Sequence, residues 1–133
     1  MNLNTDQNNM NKKKILIIGD GGVGKTSYIR KQIGKKFRQK YYSTQGINMY
    51  ETDTTVWYDF PGQEKYGLHY IDNKIDLVIY MYDLTSKLSY KNLDYWEKYV
   101  HKNYGNIDSF RIGNKSDLNV VVTNLDIKNT NKY

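Results

Sequence analysis

Gly19-Asp20-Gly21-Gly22-Val23-Gly24-Lys25-Thr26 is the stretch on which the reading of this chain turns. Ile15-Leu16-Ile17-Ile18 precedes it, a short unbroken apolar run that fits a strand buried on both faces, as in parallel sheets. Residues 25–33 follow with helical character, and Gly34 stands where a helix C-cap belongs. The octapeptide satisfies G-x-x-x-x-G-K-[ST] in the strand-to-helix context that gives this pattern meaning. The glycines let the backbone curl so that successive N–H groups of Gly21, Gly22, Val23 and Gly24 point inward, toward the positive end of the following helix. In such a loop the ammonium of Lys25 bridges the β- and γ-phosphates of a nucleotide, and the hydroxyl of Thr26 binds Mg²⁺. Ser27, next along the helix, is taken with the phosphate-binding residues. By chance alone the pattern arises roughly once in two hundred chains of this size. The loop is therefore read as a binder of a nucleotide's phosphates.

Outward from the loop, residues 48–51 and 54–60 are rich in Thr, Val and aromatics and read as two strands about a tight turn at Thr52-Asp53. Pro61-Gly62 breaks the second. Residues 77–82 form another buried-type strand. Residues 89–104 carry Leu93, Trp96 and Val100 at near-helical spacing, with Tyr99 beside them, which predicts an amphipathic helix. Residues 110–112 are a weak strand and 120–122 a candidate one. Residues 35–45 are basic and poor in apolar side chains, so they read as a loop. Strands alternating with helices and glycine turns predict an α/β domain with a doubly wound, mostly parallel sheet and helices on both faces. Residues 1–12 are an Asn-rich tail expected to be disordered, 13–118 the domain, and 119–133 a segment apart.

The composition sets the limits. The chain has 133 residues, no cysteine and a formal net charge of +6, with a mean hydropathy of -0.81. Without cysteine there is no disulfide, thiolate metal site, thiol nucleophile or prenyl or palmitoyl anchor. The longest apolar run, residues 77–82, is far too short to span a bilayer, and no signal peptide is legible. The expectation is an intracellular protein, nuclear or cytoplasmic, with no membrane anchor. Lysines dominate the positive charge, and their scatter reads as a solvated surface rather than a nucleic-acid face.

Two further motifs give the phosphate loop its company. Asp59-Phe60-Pro61-Gly62-Gln63 ends a strand in the manner of a D-x-x-G switch, and Asn114-Lys115-Ser116-Asp117 matches an N-K-x-D guanine reader after a later strand. With three motifs in this order the chain resembles the Ras superfamily of small GTPases, a branch of the P-loop NTPases. Segments such as residues 62–67, Thr85-Ser86, Tyr90-Lys91-Asn92 and residues 40–44 make it most similar to the Ran branch. The resemblance implies GTP and GDP as ligands, Mg²⁺ as cofactor, and slow hydrolysis of GTP to GDP and phosphate. It also implies an exchange factor, an activating protein and effectors of Ran type, with a link to nucleocytoplasmic transport.

The family's residue roles carry over position by position. Asp117 would accept from the guanine N1–H and 2-amino groups, Asn114 would meet the purine edge, and the stem of Lys115 would lie over the ring. Phe37 corresponds to an aromatic that packs across the base. Thr44 corresponds to the switch threonine that ligates Mg²⁺ and touches the γ-phosphate. Asp59 would hold Mg²⁺ through water, Gly62 would offer its N–H to the γ-phosphate, and Gln63 would orient the attacking water. Lys25, Thr44 and Gln63 are thus the catalytic candidates. Gly21 leaves space for Gln63 and for an arginine from a partner.

Four departures separate the chain from that pattern. Phe60-Pro61 stands where the family carries Thr-Ala, and proline stiffens a segment that must rearrange. The interval between Thr44 and Asp59 is short. Arg111 falls in a strand that helices are expected to cover, where a charge needs a partner or an escape to water. Residues 120–133 do not resemble the family's final strand and helix, so both are expected to be missing. A second reading follows, a degenerate GTPase that binds Ran-type partners without turnover.

Overall fold

A computed structural model describes residues 12–42, 46–60 and 74–114. Its elements are β1 (Lys13–Ile18), α1 (Lys25–Ile33), β2 (Arg38–Tyr42), β3 (Ile47–Glu51), β4 (Thr55–Asp59), β5 (Leu77–Asp83), α2 (Lys87–Lys91), α3 (Leu93–Tyr104) and β6 (Ser109–Asn114). The six strands form one sheet in the order β2-β3-β4-β1-β5-β6. β4, β1, β5 and β6 run parallel, and the β2-β3-β4 end is antiparallel.

Alternation along the central strands explains why the apolar runs are continuous. Leu16, Ile18, Val56, Tyr58, Val78, Tyr80 and Tyr82 share one face with Tyr90, Leu93, Trp96 and Val100 from the α2–α3 segment. Ile15, Ile17, Trp57, Ile79 and Met81 share the other with Ile29 of α1. Both faces are covered, so each strand needs an apolar residue at every step. Tyrosine fills much of this core: Tyr50, Tyr58, Tyr80, Tyr82 and Tyr90 are all buried. A hydropathy average counts tyrosine as polar, so the mean of -0.81 understates this core.

Two expectations change, and an alternative left open at Arg111 is decided. Residues 35–45 are not simply a loop, because Arg38–Tyr42 is a strand paired antiparallel with β3, Arg38 opposite Glu51 and Tyr42 opposite Ile47. The helix expected over 89–104 is two, α2 and α3, meeting at Asn92. α2 begins earlier than expected because Ser86 caps it, its hydroxyl accepting from the Ser89 N–H at 3.1 Å. Arg111 is paired: its Nη2 donates to Asp94 at 2.9 Å and to Glu97 at 2.5 Å, and its guanidinium lies 5.5 Å from the Tyr90 ring centre. Those partners keep the guanidinium charged, outweighing the burial that would lower its pKa. The tail 1–11 and the candidate strand at 120–122 lie outside the described residues.

Candidate functional site

β1 stands between β4 and β5, and α1 covers one face of the sheet while α2 and α3 cover the other. The loop leaving β1 therefore emerges where the winding reverses, the crevice in which open α/β sheets bind ligands. Gly19 opens that loop against β5. A Cβ there would collide with the Met81 carbonyl oxygen, so only glycine lets the two backbones pass. Gly24 closes it at φ 93°, a left-handed conformation that also leaves room for Asn114, whose Nδ2 occupies the space a Cβ at that position would need.

α1 starts without a side-chain cap and with no acidic residue in its first turn. Its leading N–H groups thus form an uncompensated positive end. Lys25, only 6% exposed, folds back so that its Nζ donates to the Gly19 carbonyl at 3.2 Å and to the Asp20 carbonyl at 2.8 Å. An ammonium has three N–H groups, and among the described residues the third has no partner. Burial lowers the Lys25 pKa, while the Asp59 and Asp20 carboxylates act the other way.

Asp59, at the end of β4, receives a short hydrogen bond from the hydroxyl of Thr26. Two residues from separate motifs, 33 positions apart, are thereby brought side by side. Burial raises the Asp59 pKa, against the Thr26 hydrogen bond and the Lys25 charge, which lower it. A cleft of about 340 Å³ is lined by Gly21, Gly22, Gly24, Lys25, Thr26, Ser27, Gly46, Asn48 and Asp59, at the small end of ligand-pocket volumes.

The donor set fits Mg²⁺ and a polyphosphate. A hydroxyl and a single carboxylate are hard oxygen ligands, and Mg²⁺ is usually held by one or two carboxylates together with substrate phosphates. Among the described residues no group of three or more His, Asp or Glu side chains forms a metal cage. The ion would depend on the phosphates, with Thr26 and Asp59 as the protein's part among the described residues. Asp59→Asn is expected to weaken the Mg²⁺ contribution by about 10–100-fold, the usual loss when an outer-shell carboxylate goes. Nucleotide release timed with and without a chelator measures it; the variant should release at nearly the same rate in both.

Asn114, expected at the purine edge, also ties its strand end to the phosphate loop. Its Nδ2 donates to the Val23 carbonyl at 3.0 Å and lies 3.5 Å from that of Gly24. Phe37 does not line the cleft; its ring packs 5.7 Å from that of Tyr50, on the face of the sheet covered by α1. Thr44, Gly62, Gln63, Lys115 and Asp117 lie outside the described residues.

Two features of the site escaped the sequence reading. Asn48 and Gly46 enter the cleft wall from the start of β3, a position that no motif marks. Asp20 is a variable position of the loop pattern, yet it carries hydrogen bonds from the α3 end of the helical segment.

A glycine loop between β1 and α1, a buried lysine over its carbonyls and a threonine–aspartate pair across two motifs define a P-loop nucleotide-binding protein of doubly wound α/β fold. A model of the Ras family matches residues 14–132. The chain belongs to the Ras family, whose members bind guanine nucleotides as molecular switches and are generally GTPases.

Proposed function

We propose that this chain is a guanine-nucleotide switch of Ran type, with slow, Mg²⁺-dependent hydrolysis of GTP to GDP and phosphate. The convergence of Lys25, Thr26 and Asp59 on one cleft carries the reading. Bound Mg²⁺ would supply charge neutralisation at the phosphates; the chain's own part is binding and orientation. Lys25 and the α1 N-terminus hold negative charge, and Asn114 locks the guanine-reading segment onto the phosphate loop. Gln63 orients the water, with Thr44 and Gly62 closing over the γ-phosphate. Among the described residues no arginine lines the cleft. An arginine supplied by an activating protein is worth about 10³–10⁵ in rate, so unaided turnover is slow. Exchange factor, activator and effectors are of Ran type on this reading, the setting is nuclear or cytoplasmic, and the link to nucleocytoplasmic transport rests on the Ran-like segments.

The test is nucleotide preference followed by single-turnover hydrolysis. GTP should be bound in strong preference to ATP, and equal affinity for the two sinks the guanine reading. Gln63→Leu should slow hydrolysis by about 100-fold, the low end of what a positioned proton-handling or water-orienting group contributes. A variant as fast as the parent removes Gln63 from the chemistry.

One observation favours a second reading, a partner-binding protein without turnover. Phe60, next to Asp59 in the switch motif, is fully buried and packs against Trp96 and Tyr99 with ring centres 5.7 and 6.0 Å apart. Pro61 follows at once, so the front of the switch has little freedom. Nucleotide binding with no measurable hydrolysis, with or without an activator, would select this reading.

A further inference from the structure

The carboxylate of Asp20 makes two hydrogen bonds that the phosphate-binding pattern does not call for. Its Oδ1 accepts from the Trp96 indole N–H at 2.8 Å and its Oδ2 from the Asn92 side-chain amide at 2.7 Å. These partners lie 76 and 72 residues away in sequence, at the start and in the first turn or so of α3. Asparagine is a favoured helix N-cap, but Asn92, which stands at that position of α3, makes no side-chain cap bond. Its amide is turned to the loop instead. Trp96 is itself fixed, 4% exposed and edge-on to Phe60. The main-chain oxygen of Asp20 meanwhile accepts from Lys25 Nζ at 2.8 Å, shorter than the Gly19 contact at 3.2 Å.

One residue therefore faces both ways, its side chain gripped by α3 and its carbonyl by the phosphate-binding ammonium. Both carboxylate oxygens are engaged by N–H donors from rigid elements, and hydrogen bonds to a charged acceptor are the stronger kind. Gly21 and Gly22 follow directly and carry no side chains, so the side-chain grip on Asp20 sits beside a stretch that can make none. We propose that Asp20 is a positioning residue for nucleotide binding, held by Asn92 and Trp96 so that its own carbonyl sets the Lys25 ammonium at the cleft. This rests on the nucleotide-binding reading above and adds to it a fixed strut from α3 to the loop. Trp96 also touches Phe60, so the same strut joins the phosphate loop to the front of the switch motif.

The test compares the full chain with Asp20→Asn, with Trp96→Phe, and with the exchange Asp20→Asn/Asn92→Asp. Affinity for Mg²⁺·GDP and thermal stability without nucleotide are measured for each. In Asp20→Asn a single acceptor faces two donors, and Trp96→Phe keeps a ring against Phe60 but loses the N–H. Each should weaken GDP binding at least about fivefold, the scale of one lost hydrogen bond to a charged group felt in part at the phosphates. The two together should be little worse than either alone, because they break one network. In the exchange variant the amide at position 20 accepts from Trp96 and donates to the carboxylate at position 92, so affinity should recover to within about threefold of the parent. A purely structural tie would lower the melting temperature of the single variants and leave their GDP affinity at the parent's value, which overturns the proposal. An exchange variant as weak as Asp20→Asn overturns it too. If the parent binds ATP as well as GDP, the guanine reading falls alone, and the same comparison made with Mg²⁺·ATP still decides the role of Asp20. A parent that binds neither nucleotide ends both.

Discussion

Lys25→Met is expected to lower affinity for Mg²⁺·GTP and Mg²⁺·GDP by about 100-fold or more, with little loss of fold. The lost term is charge-assisted. A hydrogen bond to a charged group is worth about 1.5–3 kcal/mol, and each 1.4 kcal/mol is a factor of ten, so two phosphate contacts account for the drop. Methionine keeps the buried methylene stem, which preserves packing beneath the loop. Two opposing changes then bear on stability. The Gly19 and Asp20 carbonyls lose their donor, which costs a few kcal/mol at most. Against that, burial lowers the Lys25 pKa, so the folded state favours its charged form less than the unfolded chain does. That penalty is in full force at pH below the lowered folded value, fades as the pH rises from there, and is gone above the unfolded value of 10.5. Removing the charge removes the penalty, and the nucleotide-free melting temperature should move by no more than about 5 °C. Titration calorimetry with GDP and a thermal melt measure the two quantities. A variant that binds GDP as the parent does would show that the ammonium is a structural prop of the loop.

The same variant separates the two functional readings. A switch loses partner binding when Lys25 goes, since its partner-binding surface depends on the bound nucleotide. A partner-binding protein that does not use nucleotide keeps it. Capture of a Ran-type partner by Lys25→Met therefore argues for the second reading, and loss of capture for the first.

What the sequence made legible follows from where the information sits. The phosphate loop is local: strand, glycines, lysine and helix lie within about twenty residues, and each residue type is dictated by backbone geometry or charge. The buried strands are legible for the same reason, because two covered faces demand an apolar residue at every step. β2 is not, since Arg38-Gln39-Lys40-Tyr41-Tyr42 has no apolar alternation. Its order comes from pairing with β3 at the sheet edge, a nonlocal cause. The Arg111 pairs and the Asp20 bonds are hidden likewise, their partners 14 to 76 residues distant. Asn92 shows the same in miniature. A run of helical spacing carried across it, but the structure stops one helix there and starts another, with the side chain aimed at the phosphate loop. Phe37, given a place across the base by correspondence with the family, has a further contact that its local sequence does not encode. Its ring lies on Tyr50, which no spacing argument would have suggested.

Phe60→Ala should have the opposite profile to Lys25→Met, a large loss of stability with the phosphate site left chemically whole. Phe60 is 0% exposed, its N–H donates to the Ile17 carbonyl at 3.1 Å, and its ring meets Trp96 and Tyr99. Truncating such a ring costs about 3–5 kcal/mol, the transfer term plus a cavity that a sheet-backed site cannot close. For a chain of this size that is a fall of roughly 10 °C or more in melting temperature. Affinity for Mg²⁺·GDP, measured well below the melting range, should fall far less than in Lys25→Met, because no cleft-lining residue has changed. The residual loss should track Trp96, which contacts both Phe60 and Asp20. Combining Phe60→Ala with Trp96→Phe would then weaken binding by less than the product of the two single effects. If Phe60→Ala leaves the melting temperature unchanged, the residue is not anchored as the structure has it. The switch would then be free from Asp59 onward, and the case for a stiffened, turnover-deficient protein would lose its main support.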